Sequence, residues 1–137
     1  MSDELEKYSS GKGESTVWAP KPDILVWKVT GHLDKVMGER FLVVLNRVTA
    51  ATRYLYAFLD WAEMTGYDSQ VRSTYTQWMA TNRNRIKAHV LVGSKIVSMG
   101  VSVANLALGG SVVGYTNRAM FDAAQRSTRM GLSNVLK

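Results

Sequence analysis

The hydrophobic period changes twice between residues 24 and 59, and this constrains the fold more than any other feature. Residues 24–29 and 54–59 are short runs of β-branched, aromatic and other apolar residues, a pattern typical of strands. Between these runs, apolar residues recur at every third or fourth position from Leu33 to Val48, as on one face of an amphipathic helix. A strand, a helix and a strand in this order predict two parallel strands joined by a helical crossover.

The same alternation continues along the rest of the chain. Residues 96–108 fit either a strand or a helix, and the crossover that parallel strands need favours a helix that ends at Gly109 and Gly110. The remaining predicted elements are a helix after Asp68 and Ser69, strands at 89–92 and 111–115, and a final helix capped by Thr116 or Asn117. We therefore predict an α/β domain with a mixed, mainly parallel sheet of about five strands and about four helices.

Turn-forming and polar residues set the predicted boundaries. The first residues are polar and contain Ser and Gly, so a frayed amino terminus is expected. A short edge strand is predicted at 16–18, because Pro20 and Pro22 interrupt the pairing that follows. The predicted organisation is a flexible amino-terminal segment at 1–14, a single domain at 15–126 and a carboxyl-terminal tail at 127–137.

The composition excludes several kinds of site. The 137 residues include no cysteine and two histidines, which excludes disulfides, thiol nucleophiles, thiolate zinc sites and histidine-rich metal sites. No catalytic triad motif is present, since Gly-x-Ser-x-Gly is absent and neither histidine has a companion motif. We therefore expect no enzymatic activity and no cofactor, and we expect His32 and His89 to be structural or exposed.

The charge is positive and unevenly distributed. Lys and Arg number 17 against 11 Asp and Glu, which gives +6, and no acid occurs between Asp68 and Asp122. Arg83, Arg85 and Lys87 are close enough in sequence to form a patch for an anion or an acidic partner, the alternative being a solvated face. No dense basic run or ribonucleoprotein-type motif occurs, so no nucleic-acid partner is expected. Without a signal peptide or an apolar run of ~20 residues, the expectation is a cytoplasmic protein with no transmembrane segment.

Several segments together resemble the STAS superfamily of sulfate-transporter and anti-sigma-factor-antagonist domains. They are residues 23–34 (DILVWKVTGHLD), the strand ending at Asp60, the turn at 92–95 (VGSK) and residues 115–124 (YTNRAMFDAA). The chain is most similar to the SpoIIAA-like branch, sometimes grouped with CRAL-TRIO lipid-transfer domains, and the resemblance spans about residues 15–126. It implies a small bacterial cytoplasmic module that works by binding, usually a protein partner and sometimes a nucleotide or an apolar ligand.

The resemblance also implies a phosphorylation site. In anti-sigma-factor antagonists the switch is a serine in an Asp-Ser-Ser-Gly motif at the start of the helix after the central strand, and its phosphorylation abolishes partner binding. Asp68 and Ser69 are the nearest equivalent here, which makes Ser69 a candidate phosphosite. The second serine and the glycine are missing, and Asp68 lies eight residues after Asp60, where the strand is predicted to end. The alternative is that Asp68 and Ser69 only cap the helix.

A polar loop predicted after Asp60 provides the candidate partner surface. Trp61, Met64 and Tyr67 fall in this loop, at the carboxyl end of a central strand, where open α/β sheets form their binding crevice. The alternative is that these side chains pack over the end of the sheet. The candidate partner-binding residues are Trp61, Met64, Tyr67, Asp68, Ser94, Lys95 and Thr116.

Two further hypotheses follow from apolar residues elsewhere. An apolar, lipid-like ligand would be lined by Val97, Met99, Val101, Val103 and Leu106, although core packing explains the same residues. A homodimer would use Trp18 on the predicted edge strand together with the final helix. From the sequence we thus predict a non-enzymatic regulatory or protein-interaction domain, with a carrier or sensor of an apolar ligand as the alternative.

Overall fold

The computed structural model describes residues 4–93 and 112–131, which form one six-stranded sheet and three helices. The strands follow one another across the sheet in chain order. The first three strands pair in antiparallel fashion, and the third to the sixth are parallel. The elements are β1 (Glu4–Ser9), β2 (Gly13–Lys21), β3 (Ile24–Leu33), α1 (Lys35–Ala51), β4 (Leu55–Tyr67), α2 (Ser69–Asn82), β5 (Ile86–Val92), β6 (Val112–Tyr115) and α3 (Arg118–Arg129). The predicted fold class, α/β with a mixed and mainly parallel sheet, is confirmed.

The helices cover the two faces of the sheet and bury two separate cores. Helices α1 and α2 lie over the larger core, where the indole of Trp27 on β3 stacks on the ring of Phe41 on α1, with 3.9 Å between ring centroids. Helix α3 covers the second core, where Phe121 packs edge-on against Phe58 on β4. Because apolar side chains on β3, β4 and β5 point to both faces, the sheet needs helices on each side.

The amino terminus differs from the prediction. Residues 4–9 form β1, which pairs with β2, so the expected flexible segment is wrong for these residues. Gly11, with a φ of 88°, lies in the turn between the two strands, and the polar residues around it therefore mark a hairpin turn. Strand β2 runs through Pro20 and lies between β1 and β3, so Trp18 is on an inner strand and the predicted edge position is wrong.

Strand β4 also differs from the prediction, and this change moves the candidate site. The sequence predicts a strand that ends at Asp60 and a polar loop after it, but β4 continues to Tyr67. The added residues pair with the second half of β3, where Gly31 lies opposite Met64 and Leu33 opposite Tyr67. The polar residues of this stretch predict a loop, because the pairing with β3 that makes them a strand leaves no local pattern in the sequence.

The other predicted elements are confirmed where they are described. Helix α1 begins after Asp34, whose Oδ1 accepts a hydrogen bond from the backbone of Met37 at 2.8 Å. Asn117 caps α3 in the same way, as predicted. Helix α3 continues to Arg129, three residues into the predicted tail. The helix predicted at 96–108 lies outside the described residues.

Candidate functional site

At the carboxyl ends of β3 and β4, two groups bind the side chain of Asp68. Its Oδ1 lies 2.8 Å from Nε2 of His32, and its Oδ2 accepts a hydrogen bond of 2.8 Å from the backbone N–H of Lys35. The hydrogen bond with His32, followed by that from Lys35, lowers the pKa of the Asp68 carboxyl. The carboxylate therefore joins the end of β3 to the first residue of α1, although it belongs to the start of α2.

Ser69 is the first residue of α2 and is exposed. Asp68 precedes it with extended backbone but makes no side-chain cap hydrogen bond to α2, because its carboxylate is held by His32 and Lys35. Since β4 ends at Tyr67, Asp68 follows the strand directly. The sequence predicts that Asp68 lies eight residues after the end of the strand. In the structure the strand ends at Tyr67, so no residue lies between β4 and Asp68.

The predicted partner-binding residues do not form an exposed aromatic loop. Trp61 and Tyr67 are partly buried on β4, and Met64 is 2% exposed in the main core, so the prediction of a loop is wrong for all three. Thr116 is exposed after β6, at the same end of the sheet as Asp68. Ser94 and Lys95 lie outside the described residues.

A cavity of about 90 Å³ lies between the sheet and helices α1 and α2. The sheet side of the cavity contains two small side chains, because Ala57 on β4 and Ala88 on β5 lie directly opposite each other. The wall is almost entirely apolar. The lining residues are Leu33, Phe41, Leu45, Ala57, Leu59, Trp61, Tyr67, Val71, Arg72, Tyr75, Thr76, Met79, Ile86, Ala88, Val90 and Val112. The residues predicted to line an apolar site, Val97, Met99, Val101, Val103 and Leu106, lie outside the described residues.

Two polar groups on the cavity wall differ in whether they make a hydrogen bond. Tyr75 donates its hydroxyl hydrogen to the carbonyl of Gly38 on α1, and burial raises the pKa of this hydroxyl. The indole Nε1 of Trp61 is buried and has no hydrogen-bond partner among the described residues. A buried N–H without a partner is uncommon, because it loses its hydrogen bonds to water without replacement.

The polar residues on the opposite face of the sheet have structural roles. Both carboxylate oxygens of Asp60 accept hydrogen bonds from Arg118, at 3.0 and 3.1 Å, which fixes the start of α3 on the sheet. Nδ1 of His89 lies 2.8 Å from the hydroxyl of Tyr115, and its ring stacks on Phe58. No group of three or more His, Asp or Glu residues suited to a metal ion occurs in the described parts of the chain.

Comparison with known proteins identifies the fold. No family model and no curated protein sequence matches the chain. A solved structure from Shewanella loihica PV-4, an uncharacterized protein of the DUF3478 family with a SpoIIAA-like fold, matches with a TM-score of 0.58 at 17% identity, over 82% of this chain and 94% of that one. This chain has a SpoIIAA-like fold. The anti-sigma factor antagonist SpoIIAA in its unphosphorylated form matches with a TM-score of 0.58 at 12% identity, over 81% of this chain and 96% of SpoIIAA.

Of these two solved structures, one is an anti-sigma factor antagonist and the other is an uncharacterized protein. Within 4–93 and 112–131, no helix is long and apolar enough to cross a membrane. The fold thus agrees with the resemblance seen in the sequence.

Proposed function

We propose that this chain is a non-enzymatic, cytoplasmic STAS-type regulatory domain that binds a protein partner at the carboxyl end of its parallel strands. The observation that carries the proposal is the position of Ser69, exposed at the first residue of α2 and separated from β4 only by Asp68. One protein of the same fold is an anti-sigma factor antagonist described in an unphosphorylated form. The corresponding proposal for this chain is that phosphorylation of Ser69 controls partner binding.

The surroundings of Ser69 favour a switch that acts through charge. A phosphate would add about −1.5 to −2 charges at the positive end of the α2 dipole, where the helix tolerates them. It would also stand beside Asp68, so the surface at the start of α2 would become more negative. A partner that fits the unmodified surface would then meet like charge or lose hydrogen bonds, and its affinity would fall.

The test compares Ser69→Asp with Ser73→Asp. Ser73 is exposed one turn further along α2, so the control adds the same charge to the same helix away from its start. Each variant and the unchanged protein are used to capture proteins from the host, and the captured proteins are quantified by mass spectrometry. We expect at least one protein to be retained by Ser73→Asp and lost with Ser69→Asp. Identical captured sets for the two variants would rule out control through Ser69.

A carrier or sensor of an apolar ligand is the second candidate function, and the cavity over Ala57 and Ala88 favours it. An engineered apolar cavity of about 150 Å³ in another protein binds benzene, so a cavity of about 90 Å³ suits a smaller apolar group. Nε1 of Trp61, which has no hydrogen-bond partner among the described residues, would suit a ligand that carries one hydrogen-bond acceptor. Native mass spectrometry of the protein purified from its host tests this candidate, since a co-purifying small apolar compound is expected. A ligand-free protein that no small apolar compound stabilises against heat would exclude it.

A further inference from the structure

Seven basic residues lie at the end of the sheet opposite Ser69, where the parallel strands begin. The end of β2, the residues just before β4, the residues before and at the start of β5, and the last turn of α3 all meet at this end, because each helix runs back across the sheet. We call these residues the basic end. They are Lys21, Arg53, Arg83, Arg85, Lys87, Arg126 and Arg129.

The rest of the chain does not neutralise the basic end. Asp23 and Glu4 are the acids that the described strands place at this end, which leaves an excess of five positive charges, against +6 for the whole protein. Outside the described residues the sequence contains one acid, Asp3, and two bases, Lys95 and Lys137. The net charge of the molecule is therefore concentrated at one end, where it would attract an oppositely charged partner over about a Debye length.

The pairing of the cations also differs between the two ends of the sheet. Near the Ser69 end, Arg118 pairs with Asp60, and Lys35 pairs with Glu39. At the basic end the described residues give no ion pair to Lys21, Arg53, Arg126 or Arg129. The negative end of the α3 dipole accounts for the positions of Arg126 and Arg129, but not for those of Lys21 and Arg53, which belong to other elements.

A cleft of about 280 Å³ lies within the basic end, between the end of β2 and the last turn of α3. It is lined by Lys21, Arg126, Arg129 and Met130, and the side chain of Met130 is 69% exposed. The cleft thus offers three cations around one apolar side chain. This combination matches an acidic chain segment that carries an apolar residue.

We propose that the basic end docks an acidic segment of a protein partner. A bilayer would need several apolar anchors, but the exposed large hydrophobic residues of the described chain at this end are only Met130 and, beside Glu4, Leu5, which is 37% exposed. Single-stranded nucleic acid would need exposed aromatic rings for base stacking, but Tyr54 and Tyr56 pack against each other and the second core. This surface lies at the opposite end of the sheet from Ser69, so its occupation does not depend on the proposed phosphorylation.

The experiment compares two charge-reversed variants of equal net charge. Arg126→Glu with Arg129→Glu changes the basic end, and Lys7→Glu with Lys12→Glu changes two exposed lysines on β1 and the turn after it. The probe is a fluorescein-labelled Glu-rich peptide with one central leucine, and its affinity is measured by fluorescence anisotropy. Thermal unfolding checks that both variants fold. If the α3 pair fails to fold, Lys21→Glu with Arg53→Glu replaces it.

We expect the change at the basic end to weaken peptide binding by about tenfold or more, and the control to weaken it by less than about threefold. Binding of the unchanged protein should also fall when the salt is raised from about 50 to 200 mM. Equal losses in the two variants would overturn the proposal, because net charge alone would then explain binding. Tighter binding of a single-stranded RNA or of anionic vesicles than of the peptide, lost with the same arginines, would overturn the assignment to a protein partner.

Discussion

Replacing Ala88 with leucine should stabilise the protein by filling the cavity above the sheet. Ala88 is 3% exposed on β5 and belongs to the floor of the cavity. Buried cavities in another protein cost about 24 cal/mol for each Å³, so removing all of the space of about 90 Å³ would gain about 2 kcal/mol. This figure is an upper bound, because leucine would not match the shape of the cavity fully and small shifts of its neighbours would offset part of the gain.

Urea unfolding followed by far-UV circular dichroism measures this effect. The midpoint should rise while the dependence of the free energy of unfolding on urea stays constant, since the surface exposed on unfolding changes little. Ala50→Leu on the exposed side of α1 is the control, because it adds the same atoms outside the cavity. A stability equal to or below that of the unchanged protein for Ala88→Leu would refute the reasoning, since the space would then not be available to a side chain.

The same variant separates the two candidate functions. If the cavity holds an apolar ligand, Ala88→Leu should lose the ligand, and stabilisation by that ligand should disappear as well. Binding of a protein partner near Ser69 should persist, because the cavity floor lies inside the sheet. A variant that loses the partner but keeps the fold would show instead that the cavity and the surface near Ser69 act together.

Two other predictions concern hydrogen bonds of named side chains. Ser15→Ala should lower the free energy of unfolding by about 1–3 kcal/mol, because the indole N–H of Trp27, which donates to Ser15 Oγ at 2.7 Å, would be left buried and unpaired. Urea unfolding measures this loss, and a near-zero effect of Ser15→Ala in a Trp27→Phe background is the control. The pKa of the Asp68 carboxyl is lowered in the folded protein. Its carboxylate should therefore stabilise the folded protein at pH values above the ordinary carboxyl pKa of 3.8, and this stabilisation should be lost as the pH falls through the lowered pKa. Thermal unfolding between pH 2 and 5 should therefore show a weaker pH dependence for Asp68→Asn, and identical profiles would contradict the role of this carboxylate.

Much of the fold could be predicted because its central elements have clear local patterns. Helix α1 and strands β3 and β5 combine strong periodicity with apolar composition, and Asn117 provides the predicted cap of α3. The continuation of β4 beyond Asp60 could not be predicted, since Glu63 and Gly66 have low strand propensity. These residues pair with the end of β3, a contact over more than thirty positions that no local window contains.

The candidate site was predicted less completely for the same reason. Two residues, Asp68 and Ser69, predict the candidate phosphosite, but its position one residue after a strand depends on the full length of β4. The cavity depends on Ala57 and Ala88 lying opposite each other, and each alanine on its own is an ordinary strand residue. Within residues 4–93 and 112–131, the lack of a hydrogen-bond partner for Nε1 of Trp61 likewise follows from burial, which the sequence does not encode at single positions.

The two outer strands of the sheet bear on the behaviour of the protein at high concentration. Strand β1 carries Glu4, Glu6 and Lys7 along one edge, and β6 at the other edge of the described sheet has four residues. Charged or very short edge strands discourage the backbone of one molecule from extending the sheet of another, which is a common route to aggregation. Crowded solutions of this protein should therefore resist fibril formation, and deleting β1 would expose the uncharged inner strand residues Val17 and Trp18 to that risk.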